Sequence, residues 1–268
     1  MFPEILKEII SVPGLLEKIY EDLAQPGVRK VGKAIEGILG LGNTCLYPIH
    51  LANERTSIHL KKNLERYRKK LENVPAENII PVPAEIGVPI LEKLAYTSDE
   101  NLSELFTNLL ANASTNNTAH KVHPGFLSKL SNLSPDEAKL LVFAYNNKGI
   151  YLHRVTPNTA DQNNWFLAVE NDALENLQYP ENAKLYIDNL GALNILFWSF
   201  PHNTPNFDAT LLNNKSFTLN LDKSYIKYFN INIENTFNFD EKSAHTLSIL
   251  KFSMMGLNFC EACLESNK

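Results

Sequence analysis

The clearest pattern in the sequence is an apolar stripe between residues 53 and 73. Its members are separated by four, three and four positions, the spacing of one face of an α-helix: Leu60, Leu64, Tyr67 and Leu71. Lysines and arginines dominate the positions around the stripe: Lys61, Lys62, Arg66, Arg68, Lys69 and Lys70. We therefore predict a helix with one face in a core and a basic face beside it.

Proline and glycine divide the chain on both sides of this helix. A Pro-Gly pair interrupts the helical spacing of residues 3–25, which predicts two short helices, and a glycine-containing helical stretch follows over about 28–46. After the basic helix, residues 74–89 contain four prolines, which disfavour a regular helix and predict an extended connector. A short helix over residues 90–96 is expected only after this connector.

Two further helix starts can be identified from capping residues. Thr97 and Glu100 stand at capping-box spacing before an apolar helical face. Ser134 is followed by a proline, and Glu137 lies three positions after the serine, which predicts a second capped helix. Residues 120–132 are expected to form another short helix between these two.

The second half of the chain has the composition of strands. Residues 150–155 are rich in β-branched and aromatic residues, and residues 216–234 alternate between apolar and polar positions, so both predict strands. Residues 183–197 predict a helix that continues into a short strand, with a turn at Gly191. The last elements are expected to be a strand and a helix that begins near Met255.

These elements predict an α+β protein, with a helical N-terminal half followed by a mixed α/β C-terminal half. The order of helices and strands in the C-terminal half would also suit a winged-helix-like module. We expect three regions along the chain. They are a helical region with glycine-rich and basic helices (1–75), a proline-rich connector with a helical core (76–148) and an α/β domain (149–268).

Charge is unevenly distributed along the 268 residues, whose net charge is −5. Residues 1–72 carry twelve lysines and arginines against nine aspartates and glutamates, whereas the remainder carries thirteen against twenty-one. The positive excess favours contact with an anionic surface, either lipid headgroups or nucleic-acid phosphates. The six basic residues named above are the ones that we expect to make this contact.

The cysteines and the first residues indicate a cytoplasmic protein. Cys45, Cys260 and Cys263 are too few for a disulfide-stapled secreted domain, and MFPEILKEII lacks the features of a secretory signal. Residues 34–52 have the length of a bilayer span, but Glu36 and several polar residues oppose insertion. We therefore expect a cytoplasmic protein that becomes peripheral to a membrane only on activation.

No motif in the chain specifies a catalytic, cofactor or metal site. Cys260 and Cys263 have C-x-x-C spacing, but no second pair completes a zinc site, and on a helix this spacing simply places both on one face. His120 and His123 lack a third ligand at a suitable spacing. His123, which precedes Pro124, is better explained as a helix start. We predict no enzyme activity, no catalytic residue, no cofactor and no metal.

Two neighbouring sequence blocks resemble a known family. LFTNLLANASTNNTAHKVHP (residues 105–124) and VHPGFLSKLSNLSPDEAKLL (residues 122–141) are similar to consecutive blocks of the abortive infection alpha (Abi-alpha) family. Upstream, a glycine-bearing helix, a basic helix, a proline-rich connector and a helix with YTSDENL keep the family's order. The resemblance therefore covers roughly residues 18–145, and the chain departs from the family pattern at Gly125.

The resemblance implies a bacterial phage-defence protein rather than a particular reaction. The leading hypothesis is that it acts by binding or assembly, as a homo-oligomer or with a protein partner, and that residues 28–52 perturb a membrane. The alternative is a nucleic-acid-binding regulator that uses the basic helix or a winged-helix-like C-terminal module. An enzyme with dispersed active-site residues is the least favoured hypothesis.

Overall fold

The computed structural model describes residues 28–39, 54–156, 166–199, 217–220 and 244–265. Several expectations lie outside the described residues: the helices within 3–25, residues 40–52 with Cys45, and the strand near 225–233.

The described residues form nine α-helices and five β-strands. The helices are α1 (Val28–Leu39), α2 (Glu54–Leu71), α3 (Ala84–Tyr96), α4 (Glu100–Ala113), α5 (Pro124–Ser131), α6 (Pro135–Asn147), α7 (Asn171–Leu174), α8 (Ala183–Ala192) and α9 (Met254–Leu264). The strands are β1 (Ile150–Thr156), β2 (Phe166–Glu170), β3 (Leu196–Ser199), β4 (Phe217–Asn220) and β5 (Ala244–Phe252). Six of these helices precede the first strand, and the other three lie between or after strands of an antiparallel sheet, so the expected α+β class is confirmed.

The chain forms two compact units. Unit 1 comprises Met1–Leu133 together with Asn258–Lys268, and unit 2 comprises Ser134–Leu257. Helix α9 begins in unit 2 and continues in unit 1. The three regions expected from the sequence follow the composition along the chain, and that division stays a prediction.

Helix α2 contributes to the core of unit 1 as its stripe predicts. Leu60, Leu64, Tyr67 and Leu71 are at most 2% exposed, and the helix packs against α3 and α4. The hydroxyl of Ser114 donates its only proton to a backbone carbonyl, so the buried Tyr67 hydroxyl donates to Ser114. Tyr67 is therefore a core residue rather than a platform for base stacking.

Helix α3 begins earlier than its prolines predict. Pro83 is the N-cap, but the helix then continues from Ala84 through Pro89 to Tyr96, so the extended connector is wrong for residues 84–89. A proline inside a helix costs about 3 kcal/mol. Burial of the apolar face outweighs this cost, since each buried aliphatic side chain contributes about 1.5–3 kcal/mol. The large aliphatic residues buried on this face are Ile86, Ile90, Leu91 and Leu94.

Helix α4 begins at a different cap from the one expected. Asp99 is the N-cap, and its carboxylate accepts a hydrogen bond from the N–H of Leu102 at 2.9 Å. Thr97 instead ends α3, where its hydroxyl donates to the carbonyl of Lys93 at 2.7 Å. The predicted Thr97–Glu100 capping box is therefore wrong, because the Asp99 carboxylate takes the position nearer to the helix.

Unit 2 contains one five-stranded antiparallel sheet with the order β3-β5-β1-β2-β4. The central strand β1 pairs with β5 from Ile150, opposite Leu250, to Thr156, opposite Ala244. The strand expected at 150–155 is therefore confirmed. A winged-helix module carries a small hairpin beside its helices. The expected winged-helix-like module therefore does not describe this five-stranded sheet.

The connection between α8 and β3 also differs from the expectation. Gly191 lies inside α8, and the left-handed residue of the turn is Asn194 (φ 52°), a residue type that tolerates this conformation. Gly256, in the first turn of α9, approaches this connection closely. A Cβ added to Gly256 would lie 2.0 Å from the carbonyl oxygen of Ile195, so only glycine fits there. Helix α9 itself begins at Met254, within one residue of its predicted start.

Candidate functional site

The basic face of α2 pairs with acidic residues of α4. Lys62 and Arg66 both donate to the carboxylate of Glu100. Arg66 Nε also lies 3.3 Å from Glu104 Oε2, and Lys70 donates to the same carboxylate. The hydrogen bonds from Lys62 and Arg66 lower the pKa of Glu100.

A fourth basic residue is paired within α2 itself. Arg68 donates two hydrogen bonds, of 2.8 and 2.7 Å, to Glu65 one turn earlier, and these bonds lower the pKa of the Glu65 carboxyl. Lys61 and Lys69 are exposed. At least four of the six basic side chains expected at an anionic surface are thus paired with carboxylates, which reduces the positive potential of this face. Contact of the six with an anionic surface stays a prediction.

Cys260 and Cys263 lie on the buried face of α9. Both are 0% exposed, and neighbouring Phe259 packs edge-on against Phe126 with ring centroids 5.6 Å apart. Burial raises the pKa of both thiols, so they are protonated at neutral pH. This burial supports the interpretation of C-x-x-C as a helix face. In the part of the chain that the structure describes, no group of three or more His, Cys, Asp and Glu residues could hold a metal ion.

His123 starts α5, as the His-Pro pair predicts. It is the N-cap, and its Nδ1 accepts a hydrogen bond from the N–H of Gly125 at 3.0 Å. The ring also packs against Phe126 with centroids 5.7 Å apart. A Cβ at position 125 would lie 3.0 Å from that same Nδ1, so the glycine leaves room for the cap. His120 lies in a separate short 3-10 turn and is exposed.

The capping box predicted at the start of α6 is present. Ser134 Oγ accepts from the N–H of Glu137 at 3.3 Å, and Glu137 Oε2 accepts from the N–H of Ser134 at 2.6 Å. The second oxygen of Glu137 accepts from the side-chain amide of Asn189 at 2.7 Å. The cap therefore also joins α6 to α8 within unit 2.

Asp136 is a buried carboxylate that accepts four hydrogen bonds. The donors are the N–H groups of Gln178 and Tyr179 (both 2.9 Å), the Lys139 ammonium (3.1 Å) and the Tyr186 hydroxyl (3.3 Å). Burial raises its pKa, but the two backbone N–H groups and Lys139 outweigh burial and lower the pKa overall. Asp136 therefore joins α6 to α8 and to the segment that precedes it.

Two lysines hold α1 within unit 1. The Lys30 ammonium donates at 3.3, 2.6 and 2.6 Å to three carbonyls at the end of α2, those of Leu71, Glu72 and Val74. Lys33 donates to the carbonyl of Ala76 at 3.1 Å. Carbonyls at a helix end have no helical partner and lie at the negative end of the helix dipole. We call Lys30, Lys33 and their acceptors the lysine clasp.

The apolar face of α1 is packed in the same unit. Val31, Ala34 and Ile35 are at most 3% exposed, and the carbonyl of Ala34 accepts from the N–H of Val82 at 2.8 Å. The described part of the 28–52 segment is thus packed against α2 and α3. Among the helices described, none is both long and apolar enough to cross a membrane.

Two asparagines of α4 join this helix to the end of α9. The side-chain amide of Asn108 donates to the carbonyl of Cys263 at 2.8 Å. That of Asn112 donates to the carbonyls of Ala262 and Glu265 at 2.9 and 2.8 Å. These amides satisfy carbonyls that the last turn of α9 leaves without helical partners.

A polar cavity of about 490 Å³ opens in unit 1 beside the lysine clasp. Its walls come from residues 73–75, from the end of α4 and the segment after it, and from the last turn of α9. Three of its lining residues are buried: Val74, Asn112 and Thr115. Three others are charged: Lys121, Glu261 and Glu265. No motif predicts this cavity, because its walls come from separate parts of the chain.

The model of one protein family matches residues 57–263, a range that includes both helix caps, the sheet and most of the lining of the polar cavity. The match places the chain in the class of abortive-infection proteins, which act in phage defence. The chain belongs to the abortive infection alpha family. The resemblance seen in the sequence is confirmed, and the match extends it through the C-terminal half, whereas residues 18–56 lie outside the matched range. No curated protein and no solved structure matches the chain.

Proposed function

We propose that this protein acts in phage defence by binding and assembly rather than by catalysis, and that it perturbs a membrane by releasing residues 28–52. The observation that carries this proposal is the lysine clasp. All three N–H donors of the Lys30 ammonium are used by carbonyls at the end of α2 and in the turn after it, so this side chain fixes α1 together with Lys33 and the apolar face of the helix. The protein would act from the cytoplasm with a second copy of itself or another protein.

The chemistry of α1 suits a membrane surface. Val31, Ala34 and Ile35 form an apolar face, and Arg29, Lys30 and Lys33 supply positive charge beside it. Helices with an apolar face and a basic face lie in the interface of membranes that contain anionic lipids. Release of α1 would therefore expose a surface that binds headgroups by charge and acyl chains by burial.

The clasp is one of the contributions that keep α1 in place. Hydrogen bonds from a charged donor contribute about 1.5–3 kcal/mol each when buried and less when exposed, so a partly exposed set totals on the order of 3 kcal/mol. This contribution adds to the burial of Val31, Ala34 and Ile35 and to the Ala34–Val82 hydrogen bond. A trigger must offset these contacts as well as the clasp to shift most molecules to the released state.

A non-catalytic mode of action is supported by the roles of the reactive side chains. Cys260 and Cys263 are buried thiols, Asp136 and Glu137 join the elements of unit 2, and His123 caps a helix. Each of these groups contributes to the fold in its observed position.

Lys30→Met should increase both the binding of the protein to vesicles with anionic lipid and the leakage of their contents. Methionine keeps the apolar stem but cannot donate to the three carbonyls, so α1 should dissociate from α2 and α3 more often. Release of a vesicle-trapped dye measures the effect, and an increase of about tenfold or more is expected from the loss of about 1.5 kcal/mol or more.

The matched control is Arg29→Met, which removes the same charge from α1 at an exposed position that is not part of the lysine clasp. It should leave leakage at the wild-type level or below it. Equal leakage from the two variants would contradict the role of the clasp, and no leakage from Lys30→Met would contradict the membrane mechanism.

A further inference from the structure

We infer that the polar cavity of unit 1 binds an ammonium or guanidinium group. Its volume of about 490 Å³ lies in the range of sites for small organic ligands and is far larger than a metal ion needs. The inference rests on one side-chain acceptor of the buried residue Asn112, on the charges around it and on the chain segments that form the walls.

This acceptor is the side-chain oxygen of Asn112. The Asn112 residue is only 3% exposed, and its amide nitrogen donates to two carbonyls of α9. Because carbonyls only accept, the nitrogen must face α9, which fixes the orientation of the amide. The oxygen Oδ1 accepts no hydrogen bond within the described residues. Since Asn112 lines the cavity, this oxygen is the atom that it offers to a donor there.

The charges around the cavity favour a cation. Glu261, near the end of α9, and Glu265, directly after it, both line the cavity at the negative end of the helix dipole. The cation that lines it with them, Lys121, lies 4.0 Å from Glu261, and both side chains are more than 40% exposed. Such a pair is weak in water, so Glu261 can exchange it for a ligand.

The acceptors together suit a ligand with several N–H donors. A neutral amide oxygen can take one donor from an ammonium or guanidinium group. A carboxylate has about four lone-pair sites, so Glu261 and Glu265 can each accept a further donor beside the partners that they have. Asn78 and Asn117 add amide groups to the wall. A phosphate or carboxylate ligand would instead meet two like charges. The group could belong to a small polyamine or to a basic side chain of a peptide.

The position of the cavity connects it to the lysine clasp, a step that rests on the proposed function. Residues 73–75 line the cavity, and the carbonyl of Val74 within them accepts from Lys30. A ligand that moves this turn changes the acceptors of Lys30. Binding in the cavity would therefore regulate the release of α1.

Calorimetric titration of the full-length protein tests the binding site. Two cationic probes, spermidine and a capped tripeptide with a central arginine, are compared with the anion AMP. The double variant Glu261→Gln, Glu265→Gln should bind the cations at least about tenfold more weakly than wild type. The control Glu85→Gln, Glu92→Gln removes two glutamates of α3 that do not line the cavity, and it should bind like wild type.

Tighter binding of spermidine would assign the site to a small amine, and tighter binding of the peptide would assign it to a protein ligand. The inference is overturned if neither cation binds, if AMP binds as well as the cations, or if the two double variants bind alike. None of these results depends on leakage from Lys30→Met, so the inference and the proposed function can fail separately.

Discussion

Replacing Gly256 by alanine should lower the free energy of unfolding by about 3 kcal/mol or more. Inside a helix alanine is favoured over glycine by about 1 kcal/mol, so in open space the substitution would stabilise α9. Here the added Cβ would lie 2.0 Å from the carbonyl oxygen of Ile195 and 2.8 Å from its carbon. That oxygen also accepts from the N–H of Ser253 at 3.0 Å. Since these are backbone atoms, the steric cost should exceed the gain in helix propensity.

Urea unfolding of the variant and the wild type measures this effect. The matched control is Gly191→Ala, because Gly191 is also helical and has no atom within 4 Å of an added Cβ. It should be neutral or stabilising by up to about 1 kcal/mol. If Gly256→Ala is as stable as wild type, α9 can move away from Ile195 at little cost.

Asp136→Asn should lower the free energy of unfolding by about 2–4 kcal/mol. Hydrogen bonds to a charged group contribute about 1.5–3 kcal/mol each, and an amide keeps only one acceptor oxygen for the N–H groups of Gln178 and Tyr179. The NH₂ group of the asparagine would face one of these N–H groups, and two donors cannot form a hydrogen bond with each other. The control is Asp188→Asn on α8, whose side chain is 57% exposed and 3.5 Å from Lys184, and it should change stability by less than about 0.5 kcal/mol.

The effect of Asp136→Asn should depend on pH. The pKa of Asp136 is lower in the folded than in the unfolded chain, so ionisation favours folding. This contribution is complete above the ordinary aspartate pKa of about 3.9 and is lost as the pH falls through the lower pKa of the folded state. The stability difference between wild type and variant should therefore shrink in acid. A difference that stays constant down to pH values below this range would show that charge is not its cause.

Patterns in the sequence predict the elements whose partners lie within one helical turn. The capping box of Ser134 and Glu137 spans three positions, and residue types alone are enough to identify it. The donors to Asp136 that come from Gln178, Tyr179 and Tyr186 lie 42 to 50 positions away, and no local pattern contains them. At Pro89 the local pattern fails for a different reason. Proline disfavours a helix, but burial of the apolar face of α3 outweighs this preference.

The candidate site could be predicted only in part for the same reason. The basic face of α2 follows from its spacing, but its partners Glu100 and Glu104 lie 34 to 38 positions further along the chain. Lys30 donates to carbonyls 41 to 44 positions away. Every residue has a backbone carbonyl, so residue types cannot identify which carbonyls are the acceptors. Cys260 and Cys263 lie on one buried face of α9, as their spacing predicts for a helix.

The turn after α2 belongs both to the lysine clasp and to the wall of the polar cavity, because Val74 accepts from Lys30 and lines the cavity. Where binding at one site changes an equilibrium at another, the effect is reciprocal. A ligand that opens the lysine clasp by a given factor must itself bind the open form more tightly by the same factor. The strength of the hydrogen bonds from one lysine would thus set the detection threshold of the protein, with a weaker clasp responding to less ligand and a stronger clasp requiring more.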